Sequence, residues 1–181
     1  MRILTKKVNG ESMNTHFFRV HSILRQRFFA ALFGLISMLL APTLHAQSID
    51  DVVLNVYKSE SCGCCVGWIK HMDENNYHST VFHPTNLNKV KEELGIKPEW
   101  ASCHTAVTNE GFLFEGHIPA KFIDLFLANP PENALGLTVP GMPIGGPGME
   151  MGNRFTPYDV LLMNKDGSSS IFASIKSAAD Q

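Results

Sequence analysis

Val52-Val53-Leu54-Asn55-Val56-Tyr57 is an apolar, β-rich run, and Lys58-Ser59-Glu60-Ser61-Cys62-Gly63 follows it as a turn. Cys64-Cys65-Val66-Gly67-Trp68 then opens a segment of helical spacing. The run reads as a buried strand. The segment 64–75 reads as a helix, with Val66, Ile69 and Met72 three apart and Trp68 alongside. A strand feeding a helix through a short turn begins a βαβ unit.

Outward from this stretch, residues 77–83 alternate enough for a second strand, ended by Pro84. Residues 87–94 form a short amphipathic helix closed by Gly95. The strands 105–108 and 112–115 flank Asn109-Glu110-Gly111 as a hairpin. Pro119 opens a third helix over 120–128, with Phe122, Ile123, Phe126 and Leu127 in one apolar stripe. Residues 129–157, rich in glycine and proline, are expected to be loop. A final hairpin joins 158–163 to 169–173 through Asn164-Lys165-Asp166-Gly167. The order β-α-β-α-β-β-α is that of an α/β, thioredoxin-like fold with a central mixed sheet, here with an extra C-terminal hairpin. The cysteines fall where that fold places its chemistry, between first strand and first helix. Ala101-Ser102-Cys103-His104 lies just before the third strand and is expected to pack against the start of that helix.

The chain has 181 residues, 44% hydrophobic and 18% charged, with a formal net charge of −2. That composition suits an ordinary globular domain and excludes a disordered or collagen-like chain. The totals average two unlike parts. Arg25-Gln26-Arg27 precedes an apolar run over 28–44, and Leu44-His45-Ala46 ends it on a small residue. A basic start, apolar middle and small-residue exit describe a secretory signal peptide, 1–46, followed by a domain over 47–181. The other reading is a membrane anchor, since a run of 17 residues is at the short limit for a span; Pro42 and polar Thr43, His45 and Gln47 argue against it. The long stretch before Arg25 is unusual for a leader and is compatible with a start at Met13. Residues 47–181 hold nine basic and sixteen acidic side chains. So acidic a domain, exported and with its leader removed, suits neither nucleic acid nor an anionic membrane surface.

All four cysteines lie in that domain, three of them in Cys62-Gly63-Cys64-Cys65. At a helix N-terminus the unpaired amides and the dipole favour thiolate over thiol. Thiolates are soft donors, preferred by Cu(I), zinc and iron–sulfur clusters. Cys62, Cys64, Cys65 and Cys103 with His104 offer up to five ligands, more than one tetrahedral ion needs, and a site holding several Cu(I) ions would use the surplus. Three other readings stay open. Four cysteines in an exported protein often form two bridges, here Cys62 with Cys65 and Cys64 with Cys103. The Cys62/Cys65 pair also suits a thiol–disulfide oxidoreductase, although adjacent Cys64 would compete for any mixed disulfide. A structural Cys3His zinc site is the third.

The remaining candidates carry less. His71, seven residues past Cys64, is about 10 Å along the helix from it, too far to share an ion, and is expected to face solvent. His78 and His83 read as strand-edge residues. His117 is either structural or part of the site lining. Met142, Met149 and Met151 sit on a glycine- and proline-rich loop, where thioethers either serve as further soft donors or cap an apolar surface.

Tyr57-Lys58, Cys62-Gly63-Cys64-Cys65 with Gly67-Trp68, Ser102-Cys103-His104-Thr105-Ala106 and Glu115-Gly116-His117 recur in this order with two further motifs. These are Gly136-Leu137 through Val139-Pro140-Gly141-Met142-Pro143, and Pro147-Gly148-Met149-Glu150. Together, over residues 52–173, they resemble a bacterial family of exported metal-binding proteins similar to the copper-resistance protein CopG, long catalogued as a domain of unknown function. The resemblance implies a thioredoxin-like fold, a periplasmic location and a role in copper resistance or homeostasis. It implies copper held by Cys62, Cys64, Cys65, Cys103 and His104, and a periplasmic donor or acceptor protein for that copper. It further implies cycling between Cu(I) and Cu(II), and so an oxidoreductase role. The turn at 108–111 departs from the family pattern by one residue, with Phe112 where Tyr is usual, away from the thiols.

Overall fold

The computed structural model of the protein describes residues 52–181; the expected leader over 1–46 lies outside them. Seven strands and three helices make a mixed α/β structure around one sheet, in the order β2-β1-β3-β4-β5-β6-β7. The strands are β1 (Val53–Lys58), β2 (His78–Phe82), β3 (His104–Thr108), β4 (Leu113–Glu115), β5 (Ala134–Thr138), β6 (Tyr158–Asn164) and β7 (Ser169–Ile175). The helices are α1 (Gly63–Glu74), α2 (Leu87–Glu93) and α3 (Ala120–Ala128). The β1–β2 and β4–β5 pairs are parallel and the other four antiparallel. No helix among the described residues is long and apolar enough to cross a membrane.

β1 alternates half-buried and buried positions, with Leu54, Val56 and Lys58 on the covered face. Its antiparallel register with β3 sets Leu54 opposite Thr108, Val56 opposite Ala106 and Lys58 opposite His104. Directly opposed residues share a face, so Lys58 and His104 both look toward the layer that holds Trp68. In α1 the covered residues are Cys65, Trp68 and Met72, at helical spacing. Val66, expected in that stripe, is 56% exposed, because the stripe is offset by one residue and begins on a cysteine. Phe126 of α3 meets Phe112 and Phe114 edge-on, with ring centroids 5.1 and 5.7 Å apart. That geometry favours aromatic pairs beyond their buried area.

The stretch expected as loop, 129–157, contains β5 instead. This strand lies between β4 and β6, so the C-terminal hairpin extends the sheet. Gly136 is why the strand is hard to read from sequence. Its φ is 153°, the pairing with β6 shifts between Ala134 and Gly136, and a β carbon there would run into the Leu113 carbonyl. A glycine inside a strand often marks such a close backbone approach. The rest of the expected loop is also less open than its composition suggests, since Gly145, Gly146 and Pro147 are buried.

Candidate metal centre

Cys62 caps the N-terminus of α1: its Sγ accepts from the Cys65 amide at 3.3 Å, and its own amide donates to Ser59 O at 3.1 Å. Cys64 and Cys65 occupy the first turn, where helix amides have no partner within the helix. Cys103 ends the segment entering β3. The Glu115 carboxylate fastens that segment, accepting from the Ser102 amide at 2.6 Å and from Thr105 Oγ1 at 2.5 Å. Lys91 forms a buried ion pair with Glu115 and donates to Thr105 Oγ1 at 2.9 Å.

The four sulfurs of Cys62, Cys64, Cys65 and Cys103 lie within 4.8 Å of one another. Cys64 Sγ is 3.5 Å from Cys62 Sγ and 4.0 Å from Cys103 Sγ. Cys62 and Cys65 are joined as a disulfide, while Cys64 and Cys103 are free. A second group shares one of these sulfurs: Cys103, His104 and His117 also bring their donor atoms within 4.8 Å. Cys103 Sγ lies 2.9 Å from His117 Nε2 and 3.4 Å from His104 Nδ1. The five residues singled out from the sequence thus fall into two donor sets hinged on Cys103, with His104 in the set that excludes Cys62, Cys64 and Cys65.

His117 is the addition. The strand end at Glu115 and the turn before α3 carry it into the site, and its Nδ1 donates to Pro147 O at 2.8 Å. That bond leaves Nε2 as an acceptor facing the Cys103 thiol. The spacing Glu115-Gly116-His117 was the available sequence signal, but only the pairing of β3 with β4 brings it beside Cys103. His71, expected in solvent, is half-buried. Its Nε2 accepts from the Ala120 amide at 3.0 Å and so caps α3. The helical repeat that carries His71 away from the thiols points it at the neighbouring helix start. His78 is exposed at the start of β2, and His83 lies with Nδ1 3.2 Å from Lys58 O. Met142 and Met151 are exposed and Met149 half-buried.

Burial sets the electrostatics. It holds His104, fully buried, well below the usual histidine range, and the nearby His117, Lys91 and Lys58 push in the same direction. It also lowers His117, against the opposing Pro147 carbonyl bond and the Glu150 charge. Burial, and then the Cys64 sulfur, pushes the Cys103 thiol up to about 12. Both imidazoles are therefore neutral donors at pH 7. Cys103 holds its proton until a cation displaces it, and His117 Nε2 is placed to take that proton. His104 Nε2 is buried without a hydrogen-bond partner. Soft sulfurs, neutral imidazoles and an unsatisfied buried nitrogen fit a soft metal ion. They fit a hard, oxygen-seeking cation poorly.

Two anchors fix this geometry. Trp68 Nε1 donates to Ile118 O at 2.8 Å, tying α1 to the segment that bears His117. The Trp68 ring lies 4.4 Å from the His104 ring and His104 meets His117 edge-on at 5.0 Å. The glycine-rich loop closes over the first turn of α1, where a β carbon on Gly67 would sit 2.8 Å from Gly148 Cα.

Residues 100–149 match a family described as a protein of unknown function, DUF411. Among curated proteins none matches the chain. Two solved structures are similar. One, titled copper resistance protein copG form 2, is 36% identical with a TM-score of 0.64, over 69% of this chain and 98% of that one. The other, form 1 of the same protein, is 37% identical with a TM-score of 0.64, over 68% and 97%. With more than a third of positions identical across nearly all of that relative, the chain belongs to the DUF411 family of CopG-like proteins.

Proposed function

We propose that the protein is an exported, periplasmic copper-binding protein that holds Cu(I) as cargo for copper resistance or homeostasis. The first 46 residues act as its signal peptide, and 47–181 form a thioredoxin-like domain. The thioredoxin-like reading draws support from the strand order β2-β1-β3-β4 and from the cysteines at the start of α1. The observation that carries the metal reading is the convergence of four sulfurs within 4.8 Å beside two buried imidazoles, in a relative of proteins named for copper resistance.

In this reading Cys62, Cys64, Cys65 and Cys103 would bind Cu(I) as thiolates once a dithiol reductant has opened the Cys62–Cys65 bond, itself leaving as a disulfide. His104, joined to the cluster through the shared Cys103, would add a harder donor that makes Cu(II) accessible, and one electron passed to or taken from a periplasmic redox partner would cycle each copper between the two states. His117 accepts the Cys103 proton as metal arrives. A periplasmic protein delivers or receives the copper. Because the periplasm is oxidising, loading the thiols with copper before they oxidise keeps the site competent.

The test is copper content and thiol count on protein purified from the periplasm of copper-supplemented cells. More than one copper per chain, with about four thiols titrating only after metal removal, is expected; no copper and no free thiols would overturn the reading. Cys64→Ser should lower the copper stoichiometry.

A second reading has its own support, because the Cys62–Cys65 bond sits at a helix N-terminus with a free thiol 3.5 Å away. A thiol–disulfide oxidoreductase using this pair would reduce insulin, lose that activity in Cys62→Ser and keep it in Cys64→Ser.

A further inference from the structure

α1 holds the segment that carries His117 through two of its side chains. Trp68 donates to Ile118 O, and three residues further along the helix His71 Nε2 accepts from the Ala120 amide at 3.0 Å. Residues three apart on a helix are neighbours, so both bonds leave one face of α1 and land two residues apart, on 118 and 120. Upstream, the Gly116 amide donates to His104 O at 3.0 Å and the His117 ring to Pro147 O.

Of the two bonds from α1 only one titrates. An indole N–H donates at any pH, whereas an imidazole nitrogen accepts only while it carries no proton. The Ala120 bond therefore fixes His71 as the neutral tautomer protonated on Nδ1. Nothing nearer in the chain does this work: Pro119, which precedes α3, gives the helix no side-chain cap, and Ala120 is buried. A proton on Nε2 would set donor against donor and put a cation at a helix N-terminus, where the dipole disfavours it. That cation has carboxylates to meet. Glu150 on the glycine-rich loop and Glu74 on α1 both favour the charged ring, against the burial that lowers it below the usual histidine range. The charges in the first turns of α3 are engaged elsewhere, Lys121 over the Phe122 ring at 4.9 Å and Asp124 with the Tyr77 hydroxyl.

We propose that His71 is a proton-operated positioning residue: neutral, it holds the start of α3 and with it His117 beside Cys103; protonated, it leaves the Ala120 amide for Glu150 and the segment loosens. His71 is not a ligand, and the consequence for copper rests on the reading above. Acid then weakens the centre from a histidine outside it, in addition to any protons the ligands themselves take up.

The experiment compares wild type, His71→Gln and His71→Leu. A glutamine amide oxygen can accept from Ala120 at every pH, and leucine at none. Without metal, NMR follows the His71 ring and the hydrogen exchange of the Ala120 amide between pH 7.5 and 5. Wild type should lose protection at Ala120 as the ring takes up its proton, and His71→Gln should keep it. Cu(I) affinity of the fully reduced proteins is read by competition with a chromophoric Cu(I) chelator at pH 7.5 and 5.5. Wild type and His71→Gln should match at the higher pH. At the lower, wild type should bind about fivefold more weakly than His71→Gln, the worth of one hydrogen bond. His71→Leu should be the weaker binder at both. A His71 ring that stays neutral to pH 5, an Ala120 amide that stays protected once the ring is charged, or the same pH dependence in wild type and His71→Gln overturns the proposal. The first two need no variant, so a misfolded one does not rescue it. Failure of wild type to bind Cu(I) would sink the copper reading instead, and the Ala120 exchange would still decide the role of His71.

Discussion

The two halves of the candidate centre are assembled in different ways. Cys62, Cys64 and Cys65 sit within four consecutive residues and are presented by the first turn of one helix. His104 follows Cys103 at the start of β3, whereas His117 comes from an inter-element turn and reaches Cys103 because β3 pairs with β4 and Trp68 holds the turn in place. The sulfur half is local chemistry that needs a helix end. The imidazole half is completed by His117, which depends on strand pairing. Cys103 belongs to both, which makes it the position where local and global organisation meet.

That contrast can be tested by damage of decreasing size. The largest effect is expected where the fold holds the shared cysteine. Lys91→Met leaves Glu115 charged, buried and unpaired, and should cost about 3–5 kcal/mol in denaturant unfolding. If the chain tolerates it, Glu115 does not fasten the Ser102–Cys103 segment as described. Next comes Cys103→Ser, which removes a donor from both sets. It should weaken Cu(I) binding by more than about a hundredfold, beyond the range typical of residues that only support ligands. Equal losses in Cys103→Ser and Cys64→Ser, measured by the same chelator competition, would erase the special place given to Cys103. His117→Gln should lower affinity by about 10–100-fold while leaving the number of bound ions unchanged, as expected of a proton acceptor held by Pro147. A drop in stoichiometry would instead make His117 a direct ligand.

The smallest effect separates the halves by pH. Burial lowers His104 and His117, so the unfolded chain takes up protons near the ordinary histidine value of about 6.5 while the folded chain refuses them. Stability of the metal-free protein is then full above that value and falls as pH drops below it. Each imidazole contributes at most about 1.4 kcal/mol per pH unit. Denaturant melts between pH 7.5 and 5.5 should show the loss, and His117→Gln should make it shallower. A flat profile would mean that the imidazoles protonate freely in the folded state.

Legibility in the sequence follows the same division. The cysteine turn, three helices and six of the seven strands carry local signals: apolar alternation, helical spacing, and turn residues at the hairpins. β5 does not, because Gly136 meets a demand of neighbouring Leu113 and breaks the strand pattern in doing so. The buried stripe of α1 lies one residue from where apolar spacing puts it, since Cys65 and not the more apolar Val66 fills the core position. His71 and His117 could not be placed from spacing alone. Each is defined by a partner about 30 to 50 residues away, the Ala120 amide for one and the Pro147 carbonyl for the other. What the sequence states in one place the fold executes there; what it states in two places needs the sheet to read it.

The close approach of the tilted Trp68 ring to His104 has a practical side. Of the two tryptophans in the chain, one lies against the candidate ligand at 4.4 Å, and the other, Trp100, packs in a separate cluster with Ile96, Leu113 and Met163. A paramagnetic Cu(II) ion on that imidazole would quench the adjacent indole emission, whereas diamagnetic Cu(I) would disturb it far less. Were copper held there, the protein would carry an optical gauge of the metal's oxidation state, with Trp100 as the internal reference and no label required.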